Sequence, residues 1–146
     1  MKTLNTILLA VGALVGATVG TPGLYAQTRA VANIPFDFTV STAKMPAGEY
    51  TFKCTSSPCQ TLQIVNQETR KSVMVLIHDK NAPQDNDGSN GKVTFHRYED
   101  RYYFASVWTP SGLAAETTPS AQERELRASN GQTQLASVEI PLTETR

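Results

Sequence analysis

The chain has 146 residues, with 13 Lys and Arg against 13 Asp and Glu, so its formal net charge is zero. That balance supplies no electrostatic pull toward nucleic acid or an anionic membrane surface, and neither is expected as a partner. The length suits one ordinary domain.

Residues 1–26, MKTLNTILLAVGALVGATVGTPGLYA, read as a secretory signal peptide. Lys2 supplies the positive start, Ile7 to Val19 the apolar stretch, and Pro22-Gly23 a break before Ala26. The stretch is interrupted by Gly12, Gly16 and Gly20, and falls short of the roughly 20 apolar residues of a permanent span. Cleavage is expected between Ala26 and Gln27, leaving no membrane span and a single β-rich domain over residues 27–146. No cysteine stands near that site to carry a lipid, and there is no twin-arginine pair, so export in the unfolded state is expected. The expected location is therefore periplasmic or secreted. Removing Lys2 from the 13 basic residues leaves 12 against 13 acidic ones.

Beyond the leader, apolar and polar residues alternate between turn signals. Ile34, Phe36, Phe38 and Val40 share one strand face, with Pro35 marking an edge or early strand position because it has no N–H to donate. Met45-Pro46-Ala47-Gly48 suits a tight turn, after which Tyr50, Phe52 and Cys54 alternate. The Thr-Ser-Ser-Pro tip reverses the chain, and Leu62 and Ile64 are expected to face inward. Ser72 to His78, SVMVLIH, is apolar on both faces and predicts a central strand covered on both sides. Lys92–Tyr98 and Tyr102–Trp108 predict a hairpin around Glu99-Asp100. A two-residue turn there would set Phe95 opposite Phe104, His96 opposite Tyr103 and Arg97 opposite Tyr102. Ser120, with Glu123 three residues on, has the capping-box pattern and opens a short helix over about 121–128, with Leu126 its one strong apolar anchor. Thr133 to Leu142 returns to strand. The expected fold is all-β: an antiparallel meander of six to seven strands, a small sandwich or barrel, with one short helix in the C-terminal half.

Cys54 and Cys59 are the only cysteines. In an exported chain they read as a turn-pinning disulfide rather than a redox or metal pair. The chain-entropy model assigns so short a loop about 2 kcal/mol.

Three segments, IPFDFTV–MPAGEYTF, KVTFHRYEDRYYFASVWTP and QERELR, together resemble a family of short exported proteins from soil bacteria. That family follows a signal peptide with a compact β-rich domain. The match spans most of residues 27–146. Glu99 stands where the family's turn glycine is usual, and Ser111 where WTP is usually followed by Gly. The resemblance implies an exported β domain and brings no catalytic or binding residues with it.

The aromatic cluster Tyr98, Tyr102, Tyr103, Phe104 and Trp108 is the candidate binding surface, set against the plainer expectation that most of it packs the core. The candidate ligand surface is His96, Tyr102, Tyr103 and Trp108. Arg97 and Arg101 are expected to stack on tyrosines or pair with Asp100. No Gly-x-Ser-x-Gly or His-Glu-x-x-His motif is present. His78 or His96 could serve a small hydrolase only by meeting a carboxylate such as Asp37 or Asp79. Asp85, Asp87 and Ser89 begin like a calcium loop, but Asn90 and His96 stand where such a loop needs Gly and Glu. No metal and no cofactor are expected. The sequence therefore predicts an exported, non-enzymatic β domain that binds a small ligand or a cell-envelope protein, or serves as a structural module. The alternative is a small envelope-acting hydrolase using His78 or His96.

Overall fold

The computed structural model describes residues 29–79, 91–129 and 136–145. The expected leader, the Asp85–Ser89 segment and the start of the last expected strand lie outside them. Eleven strands and one helix follow in order. They are β1 (Arg29–Ile34), β2 (Phe38–Val40), β3 (Ala43–Met45), β4 (Gly48–Cys54), β5 (Thr61–Asn66) and β6 (Ser72–Asp79). β7 (Lys92–Tyr98), β8 (Arg101–Trp108), β9 (Ala114–Thr117), α1 (Ala121–Ser129), β10 (Ala136–Pro141) and β11 (Thr143–Thr145) complete the described chain.

The all-β fold with one short helix is as expected, but the strand count exceeds six to seven for local reasons. The expected first strand is divided between β1 and β2 around Pro35, which cannot donate to a ladder. Ser41, at φ 57°, then turns the chain into β3. β9 has the sequence AAET, too poor in branched and aromatic residues to read as a strand. The last expected strand, which ends at Leu142, corresponds to β10, and β11 follows it as an additional strand.

The strands run β10-β7-β8-β9-β6-β5-β4-β1-β11 in one unclosed sheet, with β2 and β3 as a side hairpin. All the pairs are antiparallel except β2 with β8, which meet in parallel at Thr39 and Tyr103. One face of the sheet holds the core: Ile34, Phe38, Val40, Tyr50, Phe52, Leu62, Ile64, Val93, Phe95, Phe104, Val107 and Leu142 are all buried. Leu62 and Ile64 face inward as the alternation requires. Phe95 sits edge-on to Phe36, Phe38 and Phe104, with centroids 5.2, 5.1 and 6.0 Å away.

The β6 expectation needs correction. Met74 is 62% and Leu76 75% exposed, so β6 lies centrally in the strand order but is covered on one face only. Its apolar run on both faces arises from Met74 and Leu76 facing outward beside Gln63 and Thr61 of β5.

Two turns place the site. Pro46-Ala47 links β3 to β4; Ala47 N–H donates to Asp37 Oδ1 at 2.8 Å, and the Tyr50 hydroxyl donates to the Pro46 carbonyl. Gly48 follows at φ 148°, where an added Cβ would stand 2.9 Å from Asn66 Nδ2, so the corner requires glycine. Glu99 opens the two-residue β7–β8 turn at φ 54°, the left-handed region that costs a side chain about 1 kcal/mol. Glu99→Gly is therefore expected to stabilise the fold by about 1 kcal/mol, read as a higher urea midpoint. An unchanged or lower midpoint would contradict that strain.

Candidate functional site

The β7–β8 hairpin has the register read from its sequence: Phe95 faces Phe104, His96 faces Tyr103 and Arg97 faces Tyr102. A bulge then leaves Ala105 as an extra residue on β8, so that Phe104 and Val107 both point inward. The Thr117 hydroxyl lies 3.0 Å from the Phe104 carbonyl and 3.2 Å from that of Ala105, donating where the bulge disturbs the ladder.

Because side chains alternate, His96 and Tyr98 project from the other face of the sheet, away from Phe95. There α1 covers them. Ser120 Oγ accepts the Glu123 N–H at 3.2 Å, as the capping pattern predicted. The Glu123 side chain, however, reaches into the sheet. Its Oε1 lies 2.7 Å from His96 Nδ1 and accepts the Tyr98 hydroxyl at 3.1 Å. Glu123 is only 3% exposed, and a carboxylate that deep needs such partners. Burial first, then the neighbouring Glu123 charge, pushes the Tyr98 hydroxyl up to about 12. Tyr103 packs edge-on to Tyr98 at 5.7 Å and is 2% exposed. Leu126, the expected anchor, is only partly buried. The helix is held chiefly by an acid that the sequence marked as a cap.

The second feature is a cleft of about 730 Å³ between the β2–β3 hairpin, the β7–β8 tip and the first turn of α1. Asp37, Lys44, Asp100, Arg101, Tyr102 and Gln122 supply its polar lining, over a floor that includes Phe38 and Met45. Its charges are not equally available. Asp37 is engaged by Ala47 N–H, and Asp100 leans toward Arg97, with 3.9 Å between Oδ1 and Nη2. Lys44 and Arg101 form no ion pair among the described residues. Tyr102 stacks on Phe36 with centroids 3.9 Å apart, and the Arg97 guanidinium lies 5.7 Å from the Tyr102 centroid. Its ring is thus engaged by protein, and the residue lines the cleft.

The structure therefore distributes the residues singled out in the sequence. His96 and Tyr103 meet beneath α1, Tyr102 and Tyr103 border the cleft, and Trp108 sits at the far end of the hairpin opposite Lys92. His78 is separated from His96 by two strands, β8 and β9, and its Nε2 lies 2.8 Å from Thr118 Oγ1. The carboxylate that His96 meets is Glu123, not Asp37. Cys54 and Cys59 form the expected disulfide, with Cα atoms 5.4 Å apart. Among the described residues no group of three or more His, Cys, Asp or Glu side chains could hold a metal ion. No helix among them is long and apolar enough to cross a membrane.

Fold and site together define a class: a disulfide-bonded β domain whose helix is docked by a buried acid beside an open polar cleft. No protein-family model, curated protein or solved structure matches the chain.

Proposed function

We propose that the chain is an exported, non-enzymatic β domain that holds a small ligand or cell-envelope partner in the cleft beneath the β2–β3 hairpin. The observation that carries this reading is the cleft's lining: two cations, Lys44 and Arg101, form no ion pair among the described residues, while Asp37 accepts the Ala47 N–H. Such a concave site favours a carboxylate or phosphate group on whatever enters it. The disulfide and the leader-like residues 1–26 support passage to an oxidising compartment, periplasmic or extracellular. The IPFDF, PAGEY and FHRY segments support membership of the family of short exported β-rich proteins.

The test is an NMR titration with two probes, a carboxylate-bearing amino sugar and inorganic phosphate. Shifts confined to Lys44, Arg101, Tyr102 and Gln122 are expected, and a Lys44→Ala/Arg101→Ala variant should bind at least about tenfold more weakly. No shift at those residues with either probe, and no small molecule released from the purified protein on extraction, would sink the reading.

A second reading, a small hydrolase, is favoured by the 2.7 Å contact between His96 and Glu123, the geometry of a base and its orienting acid. Turnover of ester or amide substrates that disappears in His96→Ala, with the fold retained, would replace the first reading by this one.

A further inference from the structure

One stretch of ladder serves both the cleft and the anchor of α1. Arg101, Tyr102 and Tyr103 of β8 line the cleft, and across the ladder they face Tyr98, Arg97 and His96 of β7. His96 and Tyr98 are the two residues that meet the Glu123 carboxylate, at 2.7 and 3.1 Å. Tyr103 belongs to both sets: it borders the cleft, pairs with Thr39 of β2, and packs edge-on against Tyr98. On the helix the two sets are again adjacent. Gln122 lines the cleft, and Glu123, the next residue, makes the anchor.

Little else keeps α1 in place. The helix has 9 residues, fewer than the roughly 12–15 at which an isolated helix begins to hold in water. Glu123 is its one buried residue, Leu126 is partly buried, and the others are exposed. A helix held this way has two states, docked and ordered or released and frayed. The gap between them is set chiefly by one carboxylate and its partners. Only the docked state carries Gln122 at the cleft.

We propose that α1 is a latch on the cleft: filling the cleft holds the helix down, and loss of the Glu123 anchor weakens whatever the cleft holds. The latch rests on the reading of the cleft as a site for a carboxylate or phosphate group. Such a group, seated between Lys44 and Arg101, takes the Gln122 amide N–H as a further donor from the helix side. That bond exists only while α1 is docked, so the ligand prefers the docked state by the worth of the bond. About tenfold is expected for one donor to a charged group. The preference acts equally in both directions: the ligand orders the helix by the same factor as the ordered helix tightens the ligand.

The test uses the two probes named above, inorganic phosphate and the carboxylate-bearing amino sugar, first on the parent protein. Amide exchange over Ala121–Ser129 should slow about tenfold as a probe fills the cleft, in step with the shifts at Lys44 and Arg101. Exchange in the β4–β5 ladder, remote from the helix, should stay as it was. Reciprocally, Glu123→Ala should bind the same probe about tenfold more weakly. The slowing should vanish in Gln122→Ala, which keeps a good helix former at an exposed position, and in Lys44→Ala/Arg101→Ala. A probe that shifts Lys44 and Arg101 but leaves α1 exchange unchanged in the parent would overturn the latch and leave the cleft reading standing. Failure of both probes to shift those residues would overturn the latch along with that reading. Slowing that survives in Lys44→Ala/Arg101→Ala would place the anion on the helix's own N-terminus and would defeat the latch too.

Discussion

Glu123→Ala is expected to release α1 from the sheet while leaving the core strands folded. The substitution removes the one acceptor shared by His96 Nδ1 and the Tyr98 hydroxyl. A buried donor left without a partner costs about 1–3 kcal/mol, so two of them exceed what Leu126 can hold by packing. The loss should appear as rapid amide exchange over Ala121–Ser129 and early proteolysis there, with an overall destabilisation of about 2–4 kcal/mol. Glu123→Gln keeps the shape and one acceptor and should cost less. A fully protected helix in Glu123→Ala would show that packing alone docks it.

The same cluster sets an alkaline limit. Tyr98 is raised to about 12, so the fold favours its protonated form. That contribution is complete below the unfolded value of about 10 and is lost as pH rises through about 12. Stability of the parent protein should fall across this window, and Tyr98→Phe should flatten the fall.

Phe95→Ala should give the other large effect, a loss of about 3–5 kcal/mol. Its ring is fully buried and is the hub on which Phe36, Phe38 and Phe104 converge. Native domains are stable by only about 5–15 kcal/mol, so this one cavity takes a large share. It also undermines the cleft, because Phe36 supports Tyr102 from below and Phe38 forms part of the floor. The urea midpoint should therefore drop together with binding of the probes at Lys44 and Arg101. A loss below about 1.5 kcal/mol would mean that the neighbouring rings collapse into the space.

The β7–β8 register was legible because a two-residue turn leaves only one pairing for Phe95, His96 and Arg97. The disulfide was legible because Cys54 and Cys59 have no other cysteine to meet. Glu123 was legible only in half its role. Ser-x-x-Glu announces a helix start, but no local pattern says that the carboxylate will turn inward to residues 25 and 27 positions away. The cleft depends on the parallel meeting of Thr39 with Tyr103, a long-range contact that leaves no periodic trace. β6 misled because a strand with apolar residues on both faces can be buried on both sides, or can leave one face exposed, as at Met74 and Leu76.

The separation of β10 from β11 by Leu142 alone has an implication for the order of assembly. β10 pairs with β7 and β11 with β1, so the segment 136–145 furnishes a neighbour to strands at opposite ends of the sheet. Leu142, buried between them, hands its N–H to the Gly91 carbonyl. Until this stretch is in place, β1 and β7 each lack one flank. The sheet is fastened from its far end.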